Sequence, residues 1–313
     1  MSGAPPLLII AGPTGTGKSR LALDLAQRWN AEIISADSRQ IYRYMDIGTS
    51  KPTHHERDLV PHHMIDIVEP DQCYSAGEFG KHSREIIDHL MKKKRLPMLV
   101  GGTGLYIRAV IDGLAPSPPS DPCIKRNLLK QTESKGIRAL YNELSEVDPQ
   151  TASRLHPNDR QRILRALEVF HMTGKRLSDF HKNGSLPPRY PAIFLFINRP
   201  RPVLFDMINQ RVEAMFQKGL IEEVKGLIDK GYTPDHPGMQ SLGYSYMWDY
   251  LQGHCSLQKV KHLMKRDTRR YAKRQITWFR KEKRATWLDV PEKGDILDLI
   301  PDIESIMKRE WHT

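Results

Sequence analysis

Cysteine is scarce in this 313-residue sequence, which contains only Cys73, Cys123 and Cys255. The three are far apart and form no CxxC pair, which argues against a disulfide framework and against a cysteine-based zinc site. Long apolar runs are also lacking. The first run, Leu7 to Ala11, has no basic region before it and is too short for a signal peptide or a membrane span. We therefore expect a protein of the reducing cytoplasm.

Acidic residues are outnumbered by basic ones. The sequence has 48 lysines and arginines against 37 aspartates and glutamates, which gives a formal net charge of +11. Such an imbalance is typical of proteins whose partner is rich in phosphate. The hydrophobic share of 39% and the charged share of 27% are ordinary for a globular protein of one large or two modest domains.

Directly after the first apolar run, the sequence has the spacing of a phosphate-binding loop, G-x-x-x-x-G-K-[ST]. Between a predicted strand and a predicted amphipathic helix, such a loop turns backbone N–H groups and the helix N-terminus toward a phosphate. Lys18 would neutralise the terminal phosphates, and the Ser19 hydroxyl would hold Mg²⁺. The loop comprises Gly12, Pro13, Thr14, Gly15, Thr16, Gly17, Lys18 and Ser19. It predicts a di- or triphosphate site, but it does not decide between a kinase, an ATPase and a transferase.

Two further loops follow predicted buried strands. Residues 37–40 follow the strand at 32–36, and residues 101–104 follow the strand at 97–100. Because the carboxyl ends of parallel strands meet at one edge of a sheet, we expect both loops to lie beside the phosphate loop. The sequence Gly-Gly-Thr-Gly at 101–104 suits pyrophosphate oxygens, or forms only a tight strand-to-helix turn. No acid ends that strand, where many phosphate-loop nucleotidases place an Mg²⁺ ligand.

Asp37 is open to three interpretations from its spacing. It is a general base at the mouth of the phosphate site, a metal carboxylate, or the N-cap of a helix, which is the commonest use of aspartate at such a place. Spacing alone does not distinguish these roles.

The alternation of strands and helices predicts an α/β fold, a P-loop NTPase-like parallel sheet flanked by helices. Residues 1–119 form the first part of this core, and four prolines between 116 and 122 mark its boundary. Residues 120–187 form an inserted helical domain. The apolar strand at 192–197 returns to the sheet, so residues 188–313 form the second part of the core, with a basic helical C-terminal region.

A long helix is predicted from residue 257 to residue 284. Between residues 258 and 284 there are twelve lysines and arginines but only two acids, Asp267 and Glu282. Tyr271, Trp278 and Phe279 are interleaved with these cations. Aromatic rings stack on unpaired bases and cations neutralise backbone phosphates, so the pattern favours nucleic-acid binding over a solvated surface. The histidine pairs at 54–55 and 62–63 are predicted to be loop residues and not metal ligands.

Six segments together resemble the tRNA dimethylallyltransferases of the bacterial MiaA type. In order they are Gly-Pro-Thr-Gly-Thr-Gly-Lys-Ser at 12–19, Ser-Ala-Asp-Ser-Arg-Gln at 35–40, Asp-Ile-Gly-Thr-Ser-Lys-Pro at 46–52, Gly-Gly-Thr-Gly-Leu-Tyr at 101–106, Gln-Arg-Ile-Leu-Arg-Ala-Leu-Glu-Val at 161–169 and Tyr-Ala-Lys-Arg-Gln-Ile-Thr-Trp-Phe-Arg at 271–280. The resemblance runs from the first strand to about residue 290, and it is far more specific than the phosphate loop alone.

The resemblance implies transfer of a dimethylallyl group from dimethylallyl diphosphate to N6 of the adenosine 3′ adjacent to the anticodon. The implied substrates are tRNAs that read codons beginning with U, and the by-product is diphosphate. The implied cofactor is Mg²⁺, and the implied partner is the tRNA anticodon stem-loop. No obligate protein partner is evident from the sequence, so we expect a monomer. In this family the phosphate loop holds the prenyl diphosphate, which would account for the missing acid on the strand at 97–100.

The resemblance also implies roles for single residues. Asp37 is the base for the adenine amine, Thr103 belongs to the reaction channel, and Arg126 lies near the diphosphate. The loop from Gly12 to Ser19 binds the diphosphate, with Ser19 on Mg²⁺. The implied tRNA contacts are Asp37, Ser38, Arg39, Gln40, Gln161, Arg162, Ile163, Leu164, Arg165, Gln240, Ser241, Leu242, Gly243, Tyr244 and Ser245. The basic helix adds Lys273, Arg274 and Arg280.

Three other functions fit parts of the sequence. An adenylate isopentenyltransferase shares the phosphate loop and the prenyl donor but acts on free AMP, ADP or ATP, and the basic helix and the insertion argue against it. A small-molecule kinase is disfavoured by the missing strand-end acid. A non-catalytic RNA-binding protein would leave the phosphate loop unexplained.

Overall fold

The computed structural model describes residues 5–115, 117–181 and 189–311. Its strands form one six-stranded sheet in which every pair of neighbouring strands is parallel. The spatial order is β3-β2-β4-β1-β5-β6. The strands are β1 (Leu7–Ala11), β2 (Glu32–Ala36), β3 (His62–His63), β4 (Pro97–Gly101), β5 (Ala192–Asn198) and β6 (Thr286–Asp289). The prediction of a parallel α/β sheet is confirmed.

The chain divides into two compact units, with boundaries between residues 111 and 112 and between 187 and 188. The first boundary precedes the predicted one at residue 120. The helices of the larger unit are α1 (Lys18–Trp29), α2 (His54–Leu59), α3 (Ala76–Lys92), α4 (Gly104–Ile111), α10 (Arg201–Gln217), α11 (Leu220–Asp229), α12 (Tyr244–Leu251), α13 (Leu257–Phe279) and α14 (Ile300–Trp311), with a 3₁₀ turn at Ile296–Leu299. Those of the smaller unit are α5 (Pro122–Lys135), α6 (Ile137–Val147), α7 (Pro149–Ala152), α8 (Arg160–Thr173) and α9 (Leu177–His181).

The sheet of the larger unit is covered on both faces. Successive side chains of a strand point to opposite faces, so Leu7 and Ile9 join one apolar cluster while Leu8 and Ile10 join the other. Apolar residues of α3, α4 and α13 cover the first face. Those of α1 and α14 cover the second. This double burial explains why β1 and β4 read as continuous apolar runs rather than as alternating patterns.

The smaller unit has an apolar core of its own. Leu128 of α5, Leu140 and Leu144 of α6, and Leu167 of α8 are buried together. Asp148, which precedes α7, is buried and accepts hydrogen bonds from the backbone N–H groups of Thr151 and Ser178.

Two predictions about local structure are wrong. The histidines at 54–55 begin α2, where Thr53 and Glu56 form a capping box, and those at 62–63 form the edge strand β3. The T-x-x-E pattern was the available signal for that helix. The basic helix α13 ends at Phe279, not at residue 284, because the chain must turn there to enter β6. Within the described ranges, no helix combines the length and the apolar character of a membrane span.

Candidate active site

Three loops meet at the carboxyl edge of the sheet in the larger unit. The strands β2, β4 and β1 are neighbours, so the loops at 37–40, 101–104 and 12–19 leave the sheet side by side. The backbone N–H of Ser38 donates to Thr103 Oγ1 at 3.1 Å, and the N–H of Thr103 donates to the Ala36 carbonyl at 3.1 Å. The structure therefore brings residues 37–40, the Asp37 loop, into direct contact with residues 101–104, the glycine turn.

The phosphate loop is held in shape by its own residues. Gly15 and Gly17 have φ values of 88° and 93°, in the left-handed region that suits glycine. Gly17 is the N-cap of α1 and offers no side chain to the first backbone N–H groups of that helix. The buried Thr16 hydroxyl donates to the Pro13 carbonyl at 3.0 Å. The N-terminus of α1 is thus left open to an anion.

A glutamine that the sequence interpretation missed lies between two of these loops. Gln275 of α13 accepts a hydrogen bond from the Thr14 backbone N–H at 3.0 Å. Its Nε2 donates to the Gly102 carbonyl at 2.9 Å. Gln275 is buried on the same side of α13 as Ala272 and Phe279. A buried amide requires hydrogen-bond partners. A glutamine on the side of the helix that is expected to be buried was therefore the indication, in the sequence, that Gln275 holds neighbouring elements.

Two cations point into the site without a protein anion. Burial, followed by the nearby charge of Arg211, lowers the pKa of Lys18 to about 8, and Asp37 partly opposes this shift. Burial also lowers the pKa of Arg211, on α10, and Asp37 again opposes the shift. Among the described residues, neither cation is in an ion pair. Lys18 Nζ donates to the Pro13 carbonyl at 3.2 Å, which leaves its charge unneutralised. Partly desolvated cations without a carboxylate at ion-pair distance mark an anion-binding site.

Arg211 and Ser19 also line a cavity of about 430 Å³ beside the phosphate loop. Arg211 was missed because a single arginine on a predicted helix carries no local sign of what it faces. Only the packing of α10 reveals its place in the site.

Asp37 lies at the mouth of this site. Its Oδ1 accepts the Arg39 backbone N–H at 2.9 Å, and turn residues follow it, so the N-cap interpretation is wrong. Its charge acts on Lys18, Arg211 and Tyr271. Tyr271 is hydrogen-bonded with Thr103, and burial raises the pKa of Tyr271 to about 12, so this phenol stays protonated at neutral pH.

Several residues predicted to contact tRNA are built into the larger unit's framework instead. Tyr244 is fully buried and its hydroxyl donates to Glu223 at 2.6 Å, and Ser241 is also buried. Gln40 accepts from the Ser35 hydroxyl and donates to the carbonyls of residues 49 and 50. We correct the prediction for the side chains of Tyr244 and Ser241, which position neighbouring loops, whereas a tRNA contact by the half-buried Gln40 stays a prediction. Ser38, Leu242 and Ser245 are half-buried, whereas Arg39 and Gln240 are exposed.

In the smaller unit, the predicted residues of α8 divide in the same way. Ile163 and Leu164 are 0% and 8% exposed and pack in the unit's core, so their predicted contact with tRNA is corrected. Gln161 and Arg162 are exposed, and Arg165 pairs with Glu168 at 2.7 Å. Arg126 is exposed on α5. The roles of these polar residues stay predictions.

The basic helix is partly neutralised. Lys261 and Lys265 both pair with Glu213, and Arg266 and Arg270 both pair with Asp267. Lys273, Arg274 and Arg280 are exposed, and within the described ranges they form no ion pair. Phe279 is fully buried against the rings of Phe194 and Phe196. The expectation that Phe279 stacks on bases is therefore wrong, because it belongs to the apolar core.

Two family models match the chain. One, described as IPP transferase, matches residues 40–282, and the other, described as isopentenyl transferase, matches residues 5–62. Curated relatives agree with them. A protein of Syntrophobacter fumaroxidans named tRNA dimethylallyltransferase is 46% identical over 290 residues, which are 92% of this chain and 84% of the relative. A protein of the same name from Geobacter sulfurreducens is 47% identical over 297 residues, which are 94% of this chain and 95% of the relative.

Solved structures are similar over almost the whole chain. The tRNA isopentenylpyrophosphate transferase from Bacillus halodurans is 40% identical, with a TM-score of 0.72, and the match covers 97% of this chain and 96% of that chain. A eukaryotic dimethylallyltransferase described as acting on tRNA is 28% identical, with a TM-score of 0.78. That match covers 96% of this chain and 77% of the eukaryotic chain.

Inorganic pyrophosphate should bind with uptake of a proton by Lys18 near pH 8. In the free protein the lowered pKa leaves part of Lys18 uncharged there, and an anion favours the charged form. The affinity for pyrophosphate should therefore fall as the pH rises through about 8, by up to ~10-fold per pH unit. Isothermal titration calorimetry in two buffers of different ionisation enthalpy measures the proton uptake.

Lys18→Arg is the matched variant, because its guanidinium stays protonated across this range. Pyrophosphate should still bind to it, but the proton uptake assigned to Lys18 should disappear. Equal proton uptake by the wild type and the variant would contradict the assignment.

Proposed function

The chain belongs to the tRNA dimethylallyltransferase family, and from this premise we propose that it transfers a dimethylallyl group from dimethylallyl diphosphate to tRNA. The acceptor is N6 of the adenosine 3′ adjacent to the anticodon, in tRNAs that read codons beginning with U, and diphosphate is released. One observation carries the proposal: the phosphate loop, with Lys18 at the start of α1, and the loop that carries Asp37 leave one edge of the sheet, and the charges of Lys18, Arg211 and Asp37 act on one another there. An anion site next to a base is what this transfer requires.

The donor diphosphate occupies the phosphate loop, from Gly12 to Ser19. Backbone N–H groups at the start of α1 and the charges of Lys18 and Arg211 neutralise its oxygens. As the C–O bond to the allylic carbon breaks, negative charge grows on the leaving diphosphate. Donors that are already fixed in place stabilise this charge without reorganisation, which is usually the largest catalytic contribution.

Mg²⁺ is the proposed cofactor, and the side chains present fit it. The Ser19 hydroxyl is exposed at the start of α1, where a phosphate-loop protein holds Mg²⁺ together with the phosphate oxygens. Within the described ranges there is no cluster of three or more histidine, cysteine or acidic residues that could hold a metal. This agrees with an ion bound through the substrate, since Mg²⁺ keeps several waters and needs few protein ligands. When bound, Mg²⁺ would supply further positive charge for the diphosphate.

Asp37 is the proposed general base. The adenine amine is a poor nucleophile because its lone pair is delocalised into the ring. As N6 forms a bond to the allylic carbon, one of its protons passes to the Asp37 carboxylate, and the leaving diphosphate takes the electron pair of the C–O bond. Thr103 orients the Asp37 loop through its hydrogen bond with Ser38.

The tRNA is held by cationic and polar side chains at the surface of each unit. Lys273, Arg274 and Arg280 form an exposed basic surface on the larger unit, and Arg39 is exposed beside Asp37. On the smaller unit we assign Arg126, Gln161, Arg162 and Arg165 to the same substrate. A stacked adenine cannot reach Asp37, so the base is flipped out, which is easiest from an unpaired loop. We propose a monomeric enzyme, and its tRNA substrate implies the cytoplasm.

Incubation with dimethylallyl diphosphate, Mg²⁺ and bulk bacterial tRNA should give prenylated adenosine, detected by mass after digestion of the tRNA. Free AMP should be a poor acceptor, because it lacks the loop phosphates that supply most of the binding. Product from AMP at the rate seen with tRNA would favour an adenylate isopentenyltransferase. Transfer of labelled γ-phosphate from ATP to a small molecule would favour a kinase.

Asp37→Asn should slow the chemical step by at least ~100-fold, because the amide cannot take the amine proton. The Asn oxygen can still accept the Arg39 N–H, so the turn and the binding of both substrates should persist. Single-turnover rates at saturating donor and tRNA measure the effect.

Asp58→Asn, at an exposed position of α2, is the matched control and should react at the wild-type rate. If Asp37→Asn instead loses Mg²⁺-dependent donor binding at a normal single-turnover rate, Asp37 is a metal ligand and not the base.

Replacing Lys273, Arg274 and Arg280 together with glutamine should weaken tRNA binding at low salt. Each lost phosphate contact should flatten the slope of log K against log[salt] by roughly 0.7 to 0.9. The turnover of fully bound tRNA should change little, since these residues position the backbone and do not touch the amine.

The control for charge alone replaces Lys92, Lys93 and Lys94 with glutamine, three exposed lysines at the end of α3. Its salt slope should match that of the wild type. If the slope is unchanged when Lys273, Arg274 and Arg280 are replaced, this basic surface is solvated and does not contact tRNA phosphates.

A further inference from the structure

Gln275 makes two hydrogen bonds that require opposite polarities. Its Oε1 accepts from the backbone N–H of Thr14 at 3.0 Å, within the phosphate loop. Its Nε2 donates to the carbonyl of Gly102 at 2.9 Å, within the glycine turn. A carboxylate could make only the first bond and an ammonium only the second, so the site is matched to an amide in one orientation.

The glycine turn is shaped to admit this amide. A Cβ at residue 102 would lie 2.1 Å from Gln275 Nε2 and 3.0 Å from the Gly12 carbonyl. Gly102 is therefore required for the close approach of Gln275 to both loops. This assigns to Gly102 a role in packing that a phosphate contact alone would not need.

The C-terminal part of α13 also packs on the glycine turn through the residues on either side of Gln275. Tyr271 is hydrogen-bonded with Thr103, and Trp278 lies where a Cβ on Gly104 would come within 2.4 Å of its ring. The spacing of residues 271, 275 and 278 places the three side chains on one side of the helix. The exposed side of the same helix carries Lys273 and Arg274.

We propose that Gln275 is a positioning residue, which sets the geometry in which the phosphate loop and the glycine turn receive the donor diphosphate. It acts through the backbone of Thr14 and Gly102 and does not touch the substrate. Gln275 belongs to α13, the helix that also carries the exposed basic surface. It therefore links the helix that binds tRNA to the phosphate loop that binds the donor. This inference rests on the proposed function, since it concerns the same diphosphate site.

Inorganic pyrophosphate binding by the full-length protein tests the inference. Gln275→Met keeps a side chain of similar size but makes neither bond, and it leaves the Thr14 N–H and the Gly102 carbonyl without partners. The affinity for pyrophosphate should fall ~10-fold. Binding of tRNA, measured separately, should not change.

Gln275→Glu separates hydrogen bonding from packing. As a carboxylate, the introduced side chain would accept from the Thr14 N–H but repel the Gly102 carbonyl. As a neutral acid, it can accept with one oxygen and donate with the other, as the amide does. Burial raises the pKa of a carboxyl group. The pyrophosphate affinity of this variant, relative to the wild type, should therefore recover as the pH falls from about 8 to about 6.

The ratio of variant to wild type at each pH removes the titration of pyrophosphate, which is common to both proteins. The charged and titratable side chains at the site are Lys18, Asp37, Arg211 and Tyr271. Gln258→Glu, at an exposed position of the same helix, is the control for added charge, and its ratio should stay close to one. Gln275→Met should show a reduced ratio with no dependence on pH. Thermal melts of each variant establish that it is folded.

Each result has a separate meaning. Recovery of Gln275→Glu at low pH, without recovery of Gln275→Met, supports the positioning role. Equal pyrophosphate affinity in the wild type and both variants overturns that role and leaves the proposed transfer standing. A loss in both variants without pH-dependent recovery also overturns it, because packing alone would then explain Gln275. No pyrophosphate binding by the wild type overturns both the donor site and the role of Gln275 in it.

Discussion

Positive charge without a carboxylate partner is the constraint on which the site depends. Lys18 and Arg211 lose water at the carboxyl edge of the sheet and, among the residues that the structure describes, gain no carboxylate at ion-pair distance, so the folded chain carries an electrostatic cost that an anion relieves. The scaffold must therefore hold both cations rigidly. The first turn of α1 fixes Lys18, and α10 is fixed by the packing of Leu204 and Ile208 on Ala272 of α13. The same charge that attracts the donor then stabilises the leaving diphosphate.

The features that could be predicted from the sequence are those encoded by neighbouring residues. The phosphate loop is a contiguous pattern whose glycines are needed at Gly15 and Gly17, where φ is positive. The parallel sheet follows from short apolar runs that alternate with helical patterns. Once the sheet is parallel, its topology alone brings the loops after β1, β2 and β4 together. For these parts, local pattern and global fold agree, as expected of a sequence that specifies one structure.

The features that could not be predicted depend on residues distant in the chain. Arg211 reaches the site from α10 and Gln275 from α13, and nothing near either residue in the sequence identifies its partners. The charge of α13 was overestimated for the same reason. Glu213, on a different helix, neutralises Lys261 and Lys265, so a count of charges along one segment misses the acid that pairs with them. Ion pairs between helices are a property of packing, not of local composition.

Motif membership also fails to separate residues that touch a substrate from those that hold a loop. Glu223 accepts the backbone N–H groups of residues 46, 47 and 48, and it accepts the hydroxyl of Tyr244 as well. A Cβ on Gly48 would lie 2.6 Å from the Tyr244 ring, so the turn packs against Tyr244 at this distance only with glycine at residue 48. Burial and the Glu223 charge raise the pKa of Tyr244 far above its usual value, which keeps its hydroxyl a donor.

The turn fixed in this way carries the carbonyls of residues 49 and 50, to which Gln40 donates. Gln40 is three residues from Asp37, so the turn that Glu223 and Tyr244 hold also supports the segment that carries the proposed base. This framework gives Glu223 and Tyr244 a structural role of their own within the larger unit. The side chains proposed to meet the substrate are those that reach the surface, which is a smaller set than the motifs alone indicate.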